Sequence, residues 1–419
     1  MKRGWRIFVV ILGSVALVVI GFGLFGAREP VYQGRPLTSW LGDLRSGDPY
    51  ITTNGVLAIR HMGTNAVPFL VRMLHAKDSK LKVSCINLMA RQRRFKVTYR
   101  FDFERREDGL RGLGALGPDA KGAIPEITKL LNTGPDRQMA AYTLSRIGPE
   151  AIPALNSALG STNGSTRGHA AAFLGLQKGQ GENVVPGLLK ALKDPDFIVK
   201  SKAVRALSRF PEQADVIVPA LISRLDDPDE TFRENVARGL VSFGDKARPA
   251  VPRLVKMVET GDFHEGQAAA QALLRIDREA AIDAFTNDLQ SPVVGVRRKT
   301  ALALMSWKAN GVPAIPVLIK CLKDQDNEVK QNAAVALREI GSEPEIVVPA
   351  LMENLNDPDL KVRSITAIAV CEFGERAKPA VPIIIKLIQE NSKDELTASG
   401  LFNALARIDP DAADKLGKQ

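Results

Sequence analysis

The stretch PALISRLDDPDETFRENVARGLVSFGDKARPAVP, residues 219–252, decides the fold. Pro219, Ala220, Leu221, Ile222 and Leu225 form a short apolar run that stops at Asp227-Pro228-Asp229. A longer periodic segment follows and ends at Gly244; Ala247, Ala250 and Val251 then lead to Pro252, where the cycle restarts 33 residues on. Proline suits the first turn of a helix, where its missing N–H would have no intrahelical partner. Asp-Pro halts one helix, because the residue before proline is pushed out of the helical region, and the next aspartate can cap the second. One cycle is therefore a helical hairpin.

The cycle recurs along the chain. Helix-opening prolines are expected at Pro36, Pro68, Pro125, Pro153, Pro186, Pro219, Pro252, Pro316, Pro349 and Pro382, with Asp283 holding that place in one unit. Asp194-Pro195 and Asp357-Pro358 repeat the turn, with Asp196 and Asp359 as caps. The second helices carry small residues in one column (Ala206, Gly239, Ala303, Ala336, Ala369) and apolar ones beside it (Leu207, Leu240, Leu304, Leu337, Val370). Such columns let successive hairpins approach and share a core. Gly63, Gly117, Gly148, Gly244, Gly341 and Gly374 close the second helices, as the left-handed position after a helix favours. The expected fold is all-α: an α-solenoid of about eleven hairpins over 28–419, preceded by one N-terminal transmembrane or signal helix within 1–27.

This pattern resembles HEAT repeats. The residues that carry the resemblance are Asp194, Asp227, Asp324 and Asp357, each followed six residues later by Lys200, Arg233, Lys330 or Arg363, with Arg297 in the Asp283 unit. The resemblance implies that these acids and bases form a ladder between repeats. Thr260 and Gly266 stand at the two places in the unit opening at Pro252, so an interruption is expected there. The opening 30–41, with Pro30, Tyr32, Gly34, Pro36 and Trp40, is similar to exported bacterial HEAT-repeat proteins of unassigned function.

Residues 7–26 contain no charge and would span about 30 Å as a helix, enough to cross a bilayer. Lys2, Arg3 and Arg6 precede them, and Arg28 and Glu29, which cancel, follow. The positive-inside rule then places 28–419 outside the cytoplasm: a single-pass cytoplasmic (inner) membrane protein with a periplasmic repeat domain, or a secreted one if the segment is cleaved. The formal charge of +10 resides in residues 1–120, with 19 Lys and Arg against 9 Asp and Glu, and the remaining 299 residues are neutral. A neutral repeat body argues against nucleic-acid binding.

Chemistry-bearing constellations are sparse. Cys85, Cys321 and Cys371 are far apart, sit in apolar stripes and lack CxxC spacing, so they read as buried hydrophobes. The di-iron hydroxylases of HEAT-like architecture use several His-Glu pairs; here there is one, His264-Glu265, and His61, His75 and His169 fall in other repeats. The bilin lyases share the short HEAT-like unit, but the shared residues are packing columns. No nucleophile elbow or phosphate loop occurs. No catalytic, metal or cofactor-binding residue is expected.

One segment breaks the period. Phe95, Val97, Tyr99, Phe101 and Phe103 alternate with Lys96, Thr98, Arg100 and Asp102, a strand pattern in a helical chain. An extended arm over 93–103 with a buried aromatic face is expected, and Phe95, Lys96, Tyr99, Arg100 and Phe101 are the candidate partner-binding residues. The function expected is a membrane-tethered, non-enzymatic scaffold for a protein or peptide partner, with no small-molecule substrate. The alternative is an enzyme or enzyme subunit, bilin lyase-like or metal-dependent hydroxylase-like, acting on an envelope or pigment substrate.

Overall fold

The computed structural model describes residues 29–78, 83–84, 100–391 and 394–417. The apolar run 7–26 and most of the expected arm, 93–99, lie outside the described residues. The chain packs as two compact units, Met1–Ala206 and Leu207–Gln419.

The first unit opens with a two-stranded antiparallel hairpin, β1 (Val31–Tyr32) and β2 (Arg35–Pro36). Its turn places Gln33 and Gly34 at φ 49° and 72°, matching the right-handed strand twist. Helix pairs follow: α1 (Leu37–Asp43) with α2 (Pro49–Met62), α3 (Val67–Leu74) with α4 (Asp102–Leu116), and α5 (Ile124–Thr133) with α6 (Arg137–Ile147). Next come α7 (Ile152–Ala158) with α8 (Gly164–Leu174), and α9 (Gly181–Ala191) with α10 (Phe197–Leu207). The second unit holds α11 (Ala214–Ile222) with α12 (Glu230–Leu240), α13 (Val251–Thr260) with α14 (Phe263–Ile276), and α15 (Arg278–Asp288) with α16 (Val294–Leu304). It continues with α17 (Ile315–Cys321) and α18 (Asn327–Ile340), α19 (Pro344–Asn354) and α20 (Leu360–Val370), α21 (Val381–Glu390) and α22 (Glu395–Ile408), and ends on α23 (Pro410–Gly417). About nine hairpins are joined entirely through described residues, against about eleven expected. The α3/α4 and α21/α22 pairs pack across connections that lie partly outside them.

The proline rule holds only in part. Pro68, Pro125, Pro153, Pro252, Pro316 and Pro382 occupy the first turn of a helix, whereas Pro186, Pro219 and Pro349 lie inside α9, α11 and α19. In these three repeats helical residues precede the proline, which then fails to bond the carbonyl four residues back. Those carbonyls belong to Glu182, Asp215 and Glu345, all exposed residues, where solvent can replace the missing N–H.

The turn chemistry follows the sequence closely. Asp229 and Asp359 accept the N–H of Phe232 and Val362 at 2.8 and 2.9 Å and so cap α12 and α20. In the second unit Ala303, Ala336 and Ala369 are buried, as are Leu240, Leu304, Leu337 and Val370. In the first, a Cβ on Gly175 would lie 2.8 Å from Ala206 Cα, so only glycine permits this approach of α8 to α10.

A ladder of ion pairs links neighbouring repeats at their turns. Arg167 grips Asp194 through two bonds of 2.6 and 2.8 Å, and Arg297 grips Asp324 through two of 2.7 and 2.9 Å. Lys330 reaches Asp357 at 2.6 Å and Arg363 reaches Glu390 at 2.9 Å. The same arginines turn the remaining Nη1 back onto their own turn: Arg297 donates to Ser291 O at 2.8 Å and Arg363 to Asp357 O at 2.9 Å. An arginine rung of this kind staples its own turn to the next repeat, and the Arg167–Asp194 and Arg297–Asp324 rungs are bidentate. The expected interruption is corrected on one side. Arg233, lacking an aspartate at 260, pairs with Glu265 at 2.5 Å, whose side chain also takes part in capping α14. Gly266 supplies no base, so no rung leaves that position.

The stretch Val294–Cys321 is long and apolar enough to cross a membrane by length and composition. It is not one helix: α16 and α17 are separate, and the chain between them breaks at Lys308. Lys308 has φ 50° and ψ −139°, the conformation Gly244 (50°, −132°) and Gly374 (58°, −130°) adopt in their repeats. A side chain there costs about 1–2 kcal/mol. Lys308→Gly is expected to stabilise the protein by about 1 kcal/mol, net of the extra chain entropy of glycine, read as a higher urea midpoint. A lower midpoint would show that the backbone at 308 is unstrained.

A second prediction comes from the core. Asp288 in α15 is buried; burial, then the negative charge of Glu259, pushes its carboxyl up to about 6, partly offset by the Thr300 hydroxyl. The homologous site two repeats on holds Asn354, whose amide donates to Thr366 Oγ1 at 2.9 Å. Because the folded protein holds this proton more tightly than the unfolded chain, the stability gained from it is complete below pH ~4 and lost as pH rises through ~6. The loss is on the order of 2–3 kcal/mol. Asp288→Asn is expected to raise stability at pH 7 by about 1–3 kcal/mol and to remove this component of the pH dependence between pH 4 and 7. Denaturation at both pH values checks it, and an unchanged pH slope refutes it.

Candidate functional site

Of the expected arm, Phe95, Lys96 and Tyr99 lie outside the described residues. Arg100 and Phe101 are described, and both are half-buried. The Arg100 guanidinium contacts the carboxylate of Asp108, which is 1% exposed and lies 3.6 Å from Arg45. Burial pushes the Asp108 carboxyl up to about 6, against the pull of Arg45 and Arg111. Phe101 is the N-cap of α4; its backbone N–H donates to Glu104 at 2.8 Å. The strand pattern is corrected at its end: Asp102 and Phe103 already belong to α4, because the Glu104 cap starts the helix there. Phe103 stacks on Phe101 with ring centroids 6.2 Å apart and is 51% exposed, so this end of the aromatic row is not buried.

The His264-Glu265 pair does not converge on a site. Glu265 is buried beneath Arg233, whereas His264 lies edge-on to Phe263 at 5.4 Å. His61 stacks on Tyr32 at 5.0 Å, and His75 sits 3.3 Å from Glu126. Among the described residues no group of three or more His, Cys, Asp or Glu could hold a metal. Burial pushes the Cys321 and Cys371 thiols up to about 11 and about 12, which leaves both protonated and inert at neutral pH. Cys85 is outside the described residues.

A cleft of about 580 Å³ opens between the β1–β2 hairpin and α2. Tyr32, Arg35 and Trp40 form one wall and Ile51, Asn54, Leu57 and His61 the other. Arg35 lies 3.8 Å over the Trp40 ring and pairs with Asp43 at 2.9 Å, and Tyr32 stacks on His61, so both aromatic rings of this wall already have internal partners.

Nine of the fifteen exposed large apolar side chains among the described residues share one kind of place. Tyr50 and Ile51, Phe103, Phe197 and Ile198, Phe263, Val293 and Val294, and Leu360 all stand at the start of a second helix, just after the turn. The ladder fixes the turns that present them.

Residues 218–306 and 296–370 match the family model described as HEAT repeats. The solved structure of Kap121p aligns over 91% of this chain and 49% of its own, at 14% identity and a TM-score of 0.57. The fold is that of a HEAT-repeat solenoid. The karyopherin Kap121p bound to the extreme C-terminus of the protein phosphatase Cdc14p, and Kap121p bound to Pho4p, give TM-scores of 0.54 and 0.53. Each is 14% identical and covers 91% of this chain and 51% of the solved one. This chain spans about half the length of these solved chains, and at such identity the likeness is one of fold. No curated protein matches it in sequence.

Within this HEAT-repeat chain the turn-edge apolar residues other than Phe103 escaped sequence reading. Each is a single apolar residue or pair at a cap, and only the helix boundaries show that they hold matching positions in their repeats.

Proposed function

We propose that this HEAT-repeat chain is a non-enzymatic scaffold that holds a protein or peptide partner along the turn edge of its second helices. The observation that carries the reading is the row of exposed Tyr50, Ile51, Phe103, Phe197 and Ile198 in the first unit and Phe263, Val293, Val294 and Leu360 in the second. Large apolar side chains left in water at matching positions of many repeats mark a surface for association rather than for packing. The Kap121p complexes show proteins of this fold bound to the Cdc14p C-terminus and to Pho4p. They support a binding role for the architecture without naming a partner here.

The charge-free run 7–26 supports tethering at a membrane with 28–419 exported, or export with cleavage. A reporter active only in the cytoplasm, fused after Gln419, is expected to be silent; a strong signal would overturn the export. The scaffold itself is tested by affinity capture with the full chain and with Phe263→Ser, Val294→Ser and Leu360→Ser combined. A partner captured by the first and lost from the second, at equal helical content, supports the reading. Undiminished capture by the triple variant refutes it.

A further inference from the structure

Resting on the scaffold reading, we propose that Arg137, His169 and Lys202 of the first unit form a socket for a carboxylate side chain of an acidic peptide. The three come from α6, α8 and α10, successive second helices, and His169 and Lys202 stand 33 residues apart, one repeat. The Lys202 side chain passes over Gly168, next to His169: a Cβ at 168 would lie in contact, 3.5 Å from both Cδ and Nζ of Lys202.

Two buried nitrogen atoms at this place, Arg137 Nε and His169 Nδ1, have no hydrogen-bond partner. Buried polar atoms are satisfied as a rule, so a pair of them beside a third base calls for a ligand. The nearby carboxylates are committed elsewhere, Asp136 to Arg106 at 2.8 Å and Asp194 to Arg167 at 2.6 Å. Bases in the ladder each meet an acid; among the described residues no ion pair joins Arg137, His169 or Lys202 to one. Burial, and then the fields of Lys202 and Arg137, hold the His169 imidazole below its ordinary range, as expected beside uncompensated cations. A bound carboxylate would satisfy Arg137 and Lys202 by charge-assisted bonds and let His169 take up a proton as a further donor.

The neighbouring surface suits a peptide. Phe173, one turn on from His169, meets the edge of Tyr142 at 5.8 Å, and Tyr142 is 41% exposed. This aromatic ledge offers contact to a side chain flanking the acid.

The test uses the full chain and a fluorescein-labelled acetyl-Glu-Glu-Tyr-Glu-Glu amide, followed by anisotropy at low salt. Binding is expected, weakened about tenfold by Arg137→Ala and by Lys202→Ala and retained by Lys202→Arg. The peptide with glutamine for glutamate should not bind. In the NMR titration of His169 the midpoint should move up when the acidic peptide is added. No binding, equal affinity in both alanine variants, or a midpoint that does not move overturns the socket. Inorganic phosphate competing as well as the peptide overturns its assignment to a peptide carboxylate. Any of these failures leaves the scaffold reading standing, since that rests on the triple variant of the second unit. Loss of capture in that variant with no peptide binding here would separate the two.

Discussion

Replacing Trp307 with alanine is expected to cost about 3–5 kcal/mol, the range for deleting a buried large aromatic. Trp307 is 1% exposed and stacks on Phe285 of α15, with centroids 4.8 Å apart and planes at 20°. Its indole N–H donates to Ala270 O on α14 at 2.9 Å. One side chain thus ties the connection after α16 to two earlier helices. Trp307→Phe keeps most of the apolar contact and loses only the indole bond to Ala270 O, whose intrahelical bond remains, so it should cost about 0.5–1.5 kcal/mol. In a repeat array each hairpin touches only its neighbours, and amide hydrogen exchange should therefore speed up first in α14 to α17. An alanine variant less than about 1 kcal/mol weaker, or one losing protection evenly along the chain, would show that Trp307 is no local keystone.

A buried ladder rung should matter almost as much. Lys330 and Asp357 have side chains 10% and 9% exposed, and the same carboxylate accepts the Asp359 N–H at 2.8 Å. Removing one partner leaves a buried charge without its counter-charge, a loss of about 3–5 kcal/mol. Asp357→Ala and Lys330→Met should each fall near that range. The double change Lys330→Met with Asp357→Asn should cost clearly less than the sum, because neither charge is then stranded. The Arg376–Glu345 pair, with side chains 55% and 77% exposed, is the control: Arg376→Ala should change stability by less than about 1 kcal/mol. Urea denaturation of all four variants decides the matter. Additive single effects, or a control as costly as the buried rung, would mean that these rungs are ornamental.

The hairpin repeat was legible because its causes are local. Asp-Pro stops a helix, aspartate caps the next, and an achiral glycine ends it; Gly63, Gly117, Gly148, Gly244, Gly341 and Gly374 all take positive φ as their spacing implied. Lys308 breaks that rule, and no inspection of residue types could show that a lysine sits in a glycine conformation. The three prolines inside α9, α11 and α19 were misplaced for a related reason. A proline announces an early turn but does not say whether another turn precedes it.

What the chain alone determined is therefore the unit: helix, aspartate turn, helix with a small-residue column, and the acids and bases that pair between turns. These depend on contacts within one period or between two successive ones. Only the tertiary structure decided that Arg233 turns to Glu265, that Trp307 bonds Ala270 and that, among the described residues, Arg137 Nε and His169 Nδ1 are left without a hydrogen-bond partner. Each depends on how side chains from separate helices fill the space between them, about 30 or more residues apart. Stacking brings such residues into contact whatever their spacing in sequence, and the choice among possible partners is made by distance and burial, which a linear pattern does not contain.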